Sequence, residues 1–72
     1  MLTGEADQVL DAALKDLSED RRAALLMRLD HGLGYDEIAA AMGWTLQKVK
    51  NEIHRARLQL RERLASYLEG AA

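Results

Sequence analysis

Apolar residues recur along this chain at spacings of three and four rather than two, the period of a helix that turns one side to a core. Glycines at positions 4, 32, 34, 43 and 70 interrupt the pattern, and no proline occurs. These marks predict four helices joined by short links, hence an all-α fold: a compact four-helix domain occupying residues 1–72 as one unit. The first helix is expected from about Gly4 to Lys15, with Thr3 as its N-cap and Glu5 and Asp7 favourable to its dipole. Its apolar stripe is Ala6, Val9, Leu10, Ala13 and Leu14. Ser18 caps a second helix with Glu19 and Asp20 in its first turn, and Gly32 ends it by adopting a left-handed conformation. The buried side of that helix is read as the stem of Arg22 with Leu25, Leu26 and Leu29. A short third helix spans Tyr35 or Asp36 to Met42. A long fourth, capped by Thr45, reaches about Leu68 with Leu46, Val49, Ile53, Ala56, Leu60 and Leu64 as its stripe.

The stretch from Tyr35 to Arg57 has the requirements of a helix-turn-helix. Two helices that cross closely need a small residue at the crossing, which is Ala39. The turn between them needs a residue free to take unusual backbone angles, which is Gly43. Trp44 and Thr45 complete the turn, and Ile38, Met42, Trp44, Val49 and Ile53 stand where they would hold the two helices together. On a helical wheel with Val49 at zero, Gln47, Asn51, His54 and Leu58 fall between about 140° and 200°, opposite the core. Lys48 and Arg55 flank them on one side, and Lys50 and Arg57 on the other. A polar centre between basic edges suits base-edge hydrogen bonds bordered by phosphate contacts. The long C-terminal helix is therefore expected to be a recognition helix lying in a major groove.

Charge supports this reading only when it is resolved by segment, because the whole chain is slightly acidic at −2. Residues 1–45 hold four basic groups against nine acidic ones, whereas residues 46–64 hold Lys48, Lys50, Arg55, Arg57, Arg61 and Arg63 against Glu52 and Glu62. The positive charge is concentrated on the predicted recognition helix. Apolar residues make up 49% of the chain, but with no Phe, one Trp and two Tyr, any core must be aliphatic. A chain of this length buries only about 60% of the surface its unfolded form exposes, so its stability is modest.

Composition also removes functions. With no cysteine there is no disulfide, thiolate metal site or thiol nucleophile. The two histidines fall on different helices, so no metal is expected. Ser18 and Ser66 read as a cap and a late surface residue, with no Ser-His-Asp grouping, and Gly32-x-Gly34 is too short for a phosphate loop. Neither an enzyme, nor a cofactor, nor a small-molecule substrate is expected. No apolar run approaches the ~20 residues that span a bilayer, and Met1 to Glu5 lack the regions of a signal peptide, so a cytoplasmic protein without membrane contact is expected. Trp44 reads as a core plug or a contact to DNA or a partner, His54 as a DNA contact or a solvated side chain, and His31 as a dipole partner at a helix end. Leu58 is the one outward apolar residue of the recognition face.

Leu33-Gly34-Tyr35-Asp36-Glu37-Ile38-Ala39, followed by Met42-Gly43, Val49-Lys50-Asn51 and Arg55-Ala56-Arg57, resembles region 4 of sigma-70-type factors, and within them the extracytoplasmic-function group. Leu17 through Arg22 and on to Leu29 is similar to the helix before that motif. The likeness covers roughly residues 13–64, and Arg55-Ala56-Arg57 is its most specific element. It implies a bacterial transcription-initiation module whose fourth helix reads the −35 promoter element, with Lys50, Asn51, His54 and Arg55 at the family's base and phosphate contacts. It further implies docking on the β flap of RNA polymerase, and an anti-sigma factor as a candidate partner. Region 2, which opens promoter DNA, is not in the chain, so a fragment of a longer factor or a free-standing regulator is expected.

Three positions depart from the family pattern. Gln47-Lys48 stands where Gly-Thr is frequent, Asn51-Glu52 where Ser-Arg is frequent, and Gly34 where Ser is common. Glu52 thus replaces a phosphate-binding charge with a repelling one, and is expected to pair along its own helix with Lys48 or Arg55. DNA contact is expected to survive with altered preference or lower affinity. The rival reading is a sigma-like protein-interaction module that binds an anti-sigma factor or polymerase without specific DNA binding. It draws on Glu52, the net acidity and the missing region 2. A response-regulator output helix-turn-helix fits the Arg55-Ala56-Arg57 ending poorly.

Overall fold

In the computed structural model, which describes residues 4–71 and the side chains of residues 7–70, four α-helices follow one another. They are α1 (Gly4–Asp16), α2 (Glu19–Leu29), α3 (Tyr35–Met42) and α4 (Leu46–Ala71). Thr3, Glu5 and Ala6 fall outside the described positions or side chains.

The helix ends follow from their caps. The Ser18 hydroxyl accepts a 3.2 Å hydrogen bond from the Arg21 amide, meeting one of the donors that a helix start leaves free. Thr45 does the same for Lys48 at 3.1 Å. Gly34, without a side chain, cannot cap α3 that way. Instead Glu37 reaches back and its Oε1 accepts from the Gly34 amide at 2.9 Å. Gly32 (φ 63°) and Gly43 (φ 68°) are the two left-handed residues among those described, and each follows the end of a helix. The last helical residue of α2 is Leu29, so Gly32 shapes the link beyond it rather than its final turn. Arg28 steadies that link, donating to the Leu33 carbonyl at 3.0 Å and lying 5.2 Å from the centre of the Tyr35 ring.

The core is aliphatic. Leu17, Ala24, Leu25, Ile38, Val49, Ile53 and Ala56 form one buried cluster, with Leu14, Met27, Leu33, Tyr35, Ala39, Met42, Trp44 and Leu60 packed around it. Helix α4 is the axis on which α1, α2 and α3 all rest. At 26 residues it runs about 39 Å, close to the 41 Å long axis of the molecule. Its later turns extend past the core, which raises the radius of gyration to 13.4 Å against about 11 Å for a compact chain of this length.

Three expected core positions are exposed instead. Leu29, Leu46 and Leu64 keep 58%, 46% and 37% of their surface. Leu46 opens α4 and Leu29 closes α2, where a last turn outruns its neighbours. On α2 the expected Leu25 is fully buried and Arg22 and Leu26 are half-buried, but the second buried residue is Ala24, which shifts the inward side toward Arg21. Ala24 and Leu25 are its buried residues, and Arg21 rather than Arg22 lies midway between them on the wheel.

Candidate nucleic-acid interface

The α3–α4 turn sets the angle at which α4 leaves the core. Gly43 takes φ 68° and ψ 31°, a conformation in which a side chain would crowd the backbone. The next amide, of Trp44, donates to the Ala39 carbonyl at 2.9 Å, closing the end of α3. The half-buried Trp44 ring packs against the core cluster, and the Lys48 ammonium lies 4.9 Å from its centre. Ile38 on α3 and Val49, Ile53 and Ala56 on α4 are fully or almost fully buried, fixing the first three turns of α4 on the domain.

Because those three residues fill one side of α4, the opposite side is open. Gln47, Lys48, Lys50, Asn51, His54, Arg55 and Arg57 are all exposed. Gln47 donates from Nε2 to Asn51 Oδ1 at 3.0 Å, so these two amides form one preset donor–acceptor unit in the middle of the face. Leu58 is exposed beside them. Lys48 and Arg55 border the face on one flank and Lys50 and Arg57 on the other. No group of three or more His, Asp or Glu side chains with metal-holding geometry occurs among the described residues. Nor is any helix among them long and apolar enough to cross a membrane.

Residues 7–60 match the family described as Sigma-70, region 4, which is most of the chain. The chain belongs to the sigma-70 region 4 family. It is 36% identical over 62 residues to RNA polymerase sigma factor YlaC of Bacillus subtilis, covering 86% of this chain and 36% of that protein. It is 45% identical over 58 residues to ECF RNA polymerase sigma factor SigE of Mycolicibacterium smegmatis, with 81% and 23% covered. The ECF RNA polymerase sigma-E factor of Escherichia coli is 40% identical over 57 residues, with 79% and 30% covered. The chain thus spans about a third or less of the length of these curated relatives.

Glu52, expected from the sequence to repel a phosphate, does not lie on the open face. It stands about 60° from Val49 on the wheel, on the inward flank that meets α2. There its Oε1 accepts from Arg21 Nε at 2.9 Å, and its Oε2 lies 3.7 Å from Arg55. The expected pairing with Arg55 is therefore present, but it is secondary. Lys48 makes no ion pair with Glu52, and the main partner comes from another helix. Arg21 also donates through Nη1 to Gln59 Oε1, one further turn along the same flank of α4. The Arg21 hydrogen bond holds the Glu52 carboxyl below the ordinary carboxylate value against partial desolvation, with the charges of Arg21, Arg55 and Lys48 acting in the same direction as the bond.

Arg21 and Gln59 were not among the sequence-derived site residues. The signal was available in the spacing: Glu52 and Gln59 are seven apart, hence on one flank of α4, and Arg21 lies between Ala24 and Leu25 on α2.

Proposed function

We propose that α4 reads the −35 promoter element in the major groove, and that the domain docks on the β flap of RNA polymerase as a cytoplasmic transcription-initiation module. The observation that carries this reading is the open face of Gln47, Lys48, Lys50, Asn51, His54, Arg55 and Arg57, standing on three turns of helix whose other side is buried. A groove reader needs side chains held on a rigid element, because each hydrogen bond to a base edge discriminates only if its donor cannot wander. The Gln47–Asn51 unit offers an amide donor and acceptor side by side, chemistry that suits adenine or a mixed edge. The four cations along its borders suit the two phosphate backbones. Membership of the region 4 family supports the same assignment.

The test is duplex selection from a randomised pool by the 72-residue chain, followed by fluorescence anisotropy on the enriched duplex across a salt series. Affinity falls as salt rises, with a log–log slope no steeper than about −3.6 if all four border cations meet phosphates. Lys50→Ala and Arg55→Ala each cost about 1–3 kcal/mol when they touch bases, and less with a shallower slope when they touch only phosphate. Salt-insensitive binding, or variants equal to the parent, rejects the proposal.

A second reading has its own observation. Beyond Ala56 the later turns of α4 leave Leu64 and Leu68 uncovered. A module that binds polymerase or an anti-sigma factor without specific DNA contact would use such a strip. Enrichment of no duplex, together with capture of a purified polymerase flap or anti-sigma factor, favours it.

A further inference from the structure

We infer that Glu52 is a positioning residue for groove reading: by joining Arg21 of α2 to Arg55 of α4, it sets the angle of the recognition helix and the place of the Arg55 guanidinium. The inference rests on the DNA-reading proposal and adds to it a residue whose charge has the wrong sign for direct contact.

Three observations carry it. Glu52 keeps only 16% of its side-chain surface, on the flank against α2, so its charge is spent inside the domain rather than presented to a duplex. The Arg21 guanidinium grips two positions of α4 seven residues apart, Glu52 and Gln59, which fixes both the rotation and the tilt of that helix relative to α2. Arg55 sits 3.7 Å from the free Glu52 oxygen and retains 63% of its own side-chain surface. That separation is too long for a charge-assisted hydrogen bond, which lies near 2.7–2.9 Å. Arg55 is thus steered toward one side of the face yet free to close on a phosphate or a base. Cutting the Arg21 link frees α4 from α2 and leaves the Glu52 carboxylate, and with it Arg55, without an anchor.

The sign of one substitution separates this from simple repulsion. A carboxylate that merely faces DNA weakens binding, so Glu52→Gln then strengthens it. A carboxylate that positions the helix does the opposite: Glu52→Gln loses affinity for the selected duplex by about tenfold, although a negative charge has been removed. Affinity for a mixed-sequence competitor duplex stays the same or rises, so the specific-to-nonspecific ratio falls. Arg21→Met, far from the open face, reproduces the loss, and the double variant is no worse than either single one. The swapped pair Arg21→Glu with Glu52→Arg rebuilds the tie between α2 and α4 but sets a cation beside Arg55, so it recovers only part of the ratio.

These measurements use the 72-residue chain, the pool-selected duplex and the competitor duplex, with circular dichroism to score folding of each variant. An unchanged or improved ratio in Glu52→Gln overturns the inference while leaving the DNA-reading proposal standing. Should Glu52→Gln fail to fold, Arg21→Met decides: a folded Arg21→Met with a lowered specific-to-nonspecific ratio supports positioning, and one with the parental ratio refutes it. A parent chain that enriches no duplex at all overturns both.

Discussion

The aliphatic residues of α4 step by four and three in its first half and by four and four in its second, and the two halves meet opposite fates. In the first half Val49, Ile53 and Ala56 are wholly or almost wholly buried. In the second, Leu60 is half-buried, Leu64 keeps 37% of its surface and Leu68 keeps 65%. The difference lies in what stands opposite. Arg21 of α2 holds the first half at Glu52 and Gln59, and Ile38 of α3 shares one buried cluster with Val49, Ile53 and Ala56. Past Gln59, Arg63 bonds to Asp16 of α1 at 2.6 Å, and Tyr67 remains half-buried. Both groups of that ion pair are about half exposed, so it adds at most about 1 kcal/mol. An amphipathic period states which side of a helix is apolar; it does not state that a partner is there to cover it. In α4 the covered half is also the half whose far side is the candidate reading face, since rigidity there is what packing supplies.

The largest expected effect breaks the covered half. Ile53→Ala removes a fully buried branched side chain from the centre of the cluster and costs about 2–5 kcal/mol. A domain of 72 residues has only about 4–11 kcal/mol to lose. Thermal unfolding followed by circular dichroism should show the melting temperature falling by ten degrees or more, on the scale of about 4–8 °C per kcal/mol for a domain of this size. A variant that melts within a few degrees of the parent would mean that Ile53 is not central to the core.

A smaller effect follows from the seam between α2 and the covered half. The Glu52 carboxyl titrates below its ordinary value of 4.5 in the folded state because of the hydrogen bond from Arg21. A depressed folded value means that the pair's stabilisation is present above the unfolded value and is lost as pH falls through the folded one. At neutral pH, Glu52→Gln should cost about 1 kcal/mol, the low end for a charged hydrogen bond that solvent partly screens. Denaturant curves of parent and variant should converge as pH drops below about 4.5. A gap that persists unchanged into strong acid would show that the charge is not the source of the coupling.

How much of this was legible beforehand depends on the kind of contact. Four helices, the caps at Ser18 and Thr45, the left-handed Gly43 and the outward set from Gln47 to Arg57 are all written in local spacing, because each depends on neighbours within about two turns. The inward face of α2 was less legible. Ala24 is small enough to pass for filler, and Leu29 looks like core until the helix ends beneath it. The Arg21–Glu52–Gln59 link is legible only in part: spacing puts Glu52 and Gln59 on one flank of α4, but that Arg21 meets them depends on how two helices are rotated against each other. For the same reason Glu52 was read as a hazard to DNA binding rather than a tie between helices.

The smallest expected effect belongs to the uncovered half. Leu68→Ala removes as many carbon atoms as Ile53→Ala, yet Leu68 is 65% exposed. Little apolar surface leaves water there when the chain folds, and alanine is at least as good a helix former as leucine. The change should alter stability by no more than about 0.5 kcal/mol, the range for surface positions free of special contacts. Parallel denaturant curves with equal slopes would check this. A loss above about 1 kcal/mol would mean that the last turns of α4 are packed against the rest of the domain in solution. The contrast between the halves would then disappear, and with it the exposed strip that motivates a protein partner there.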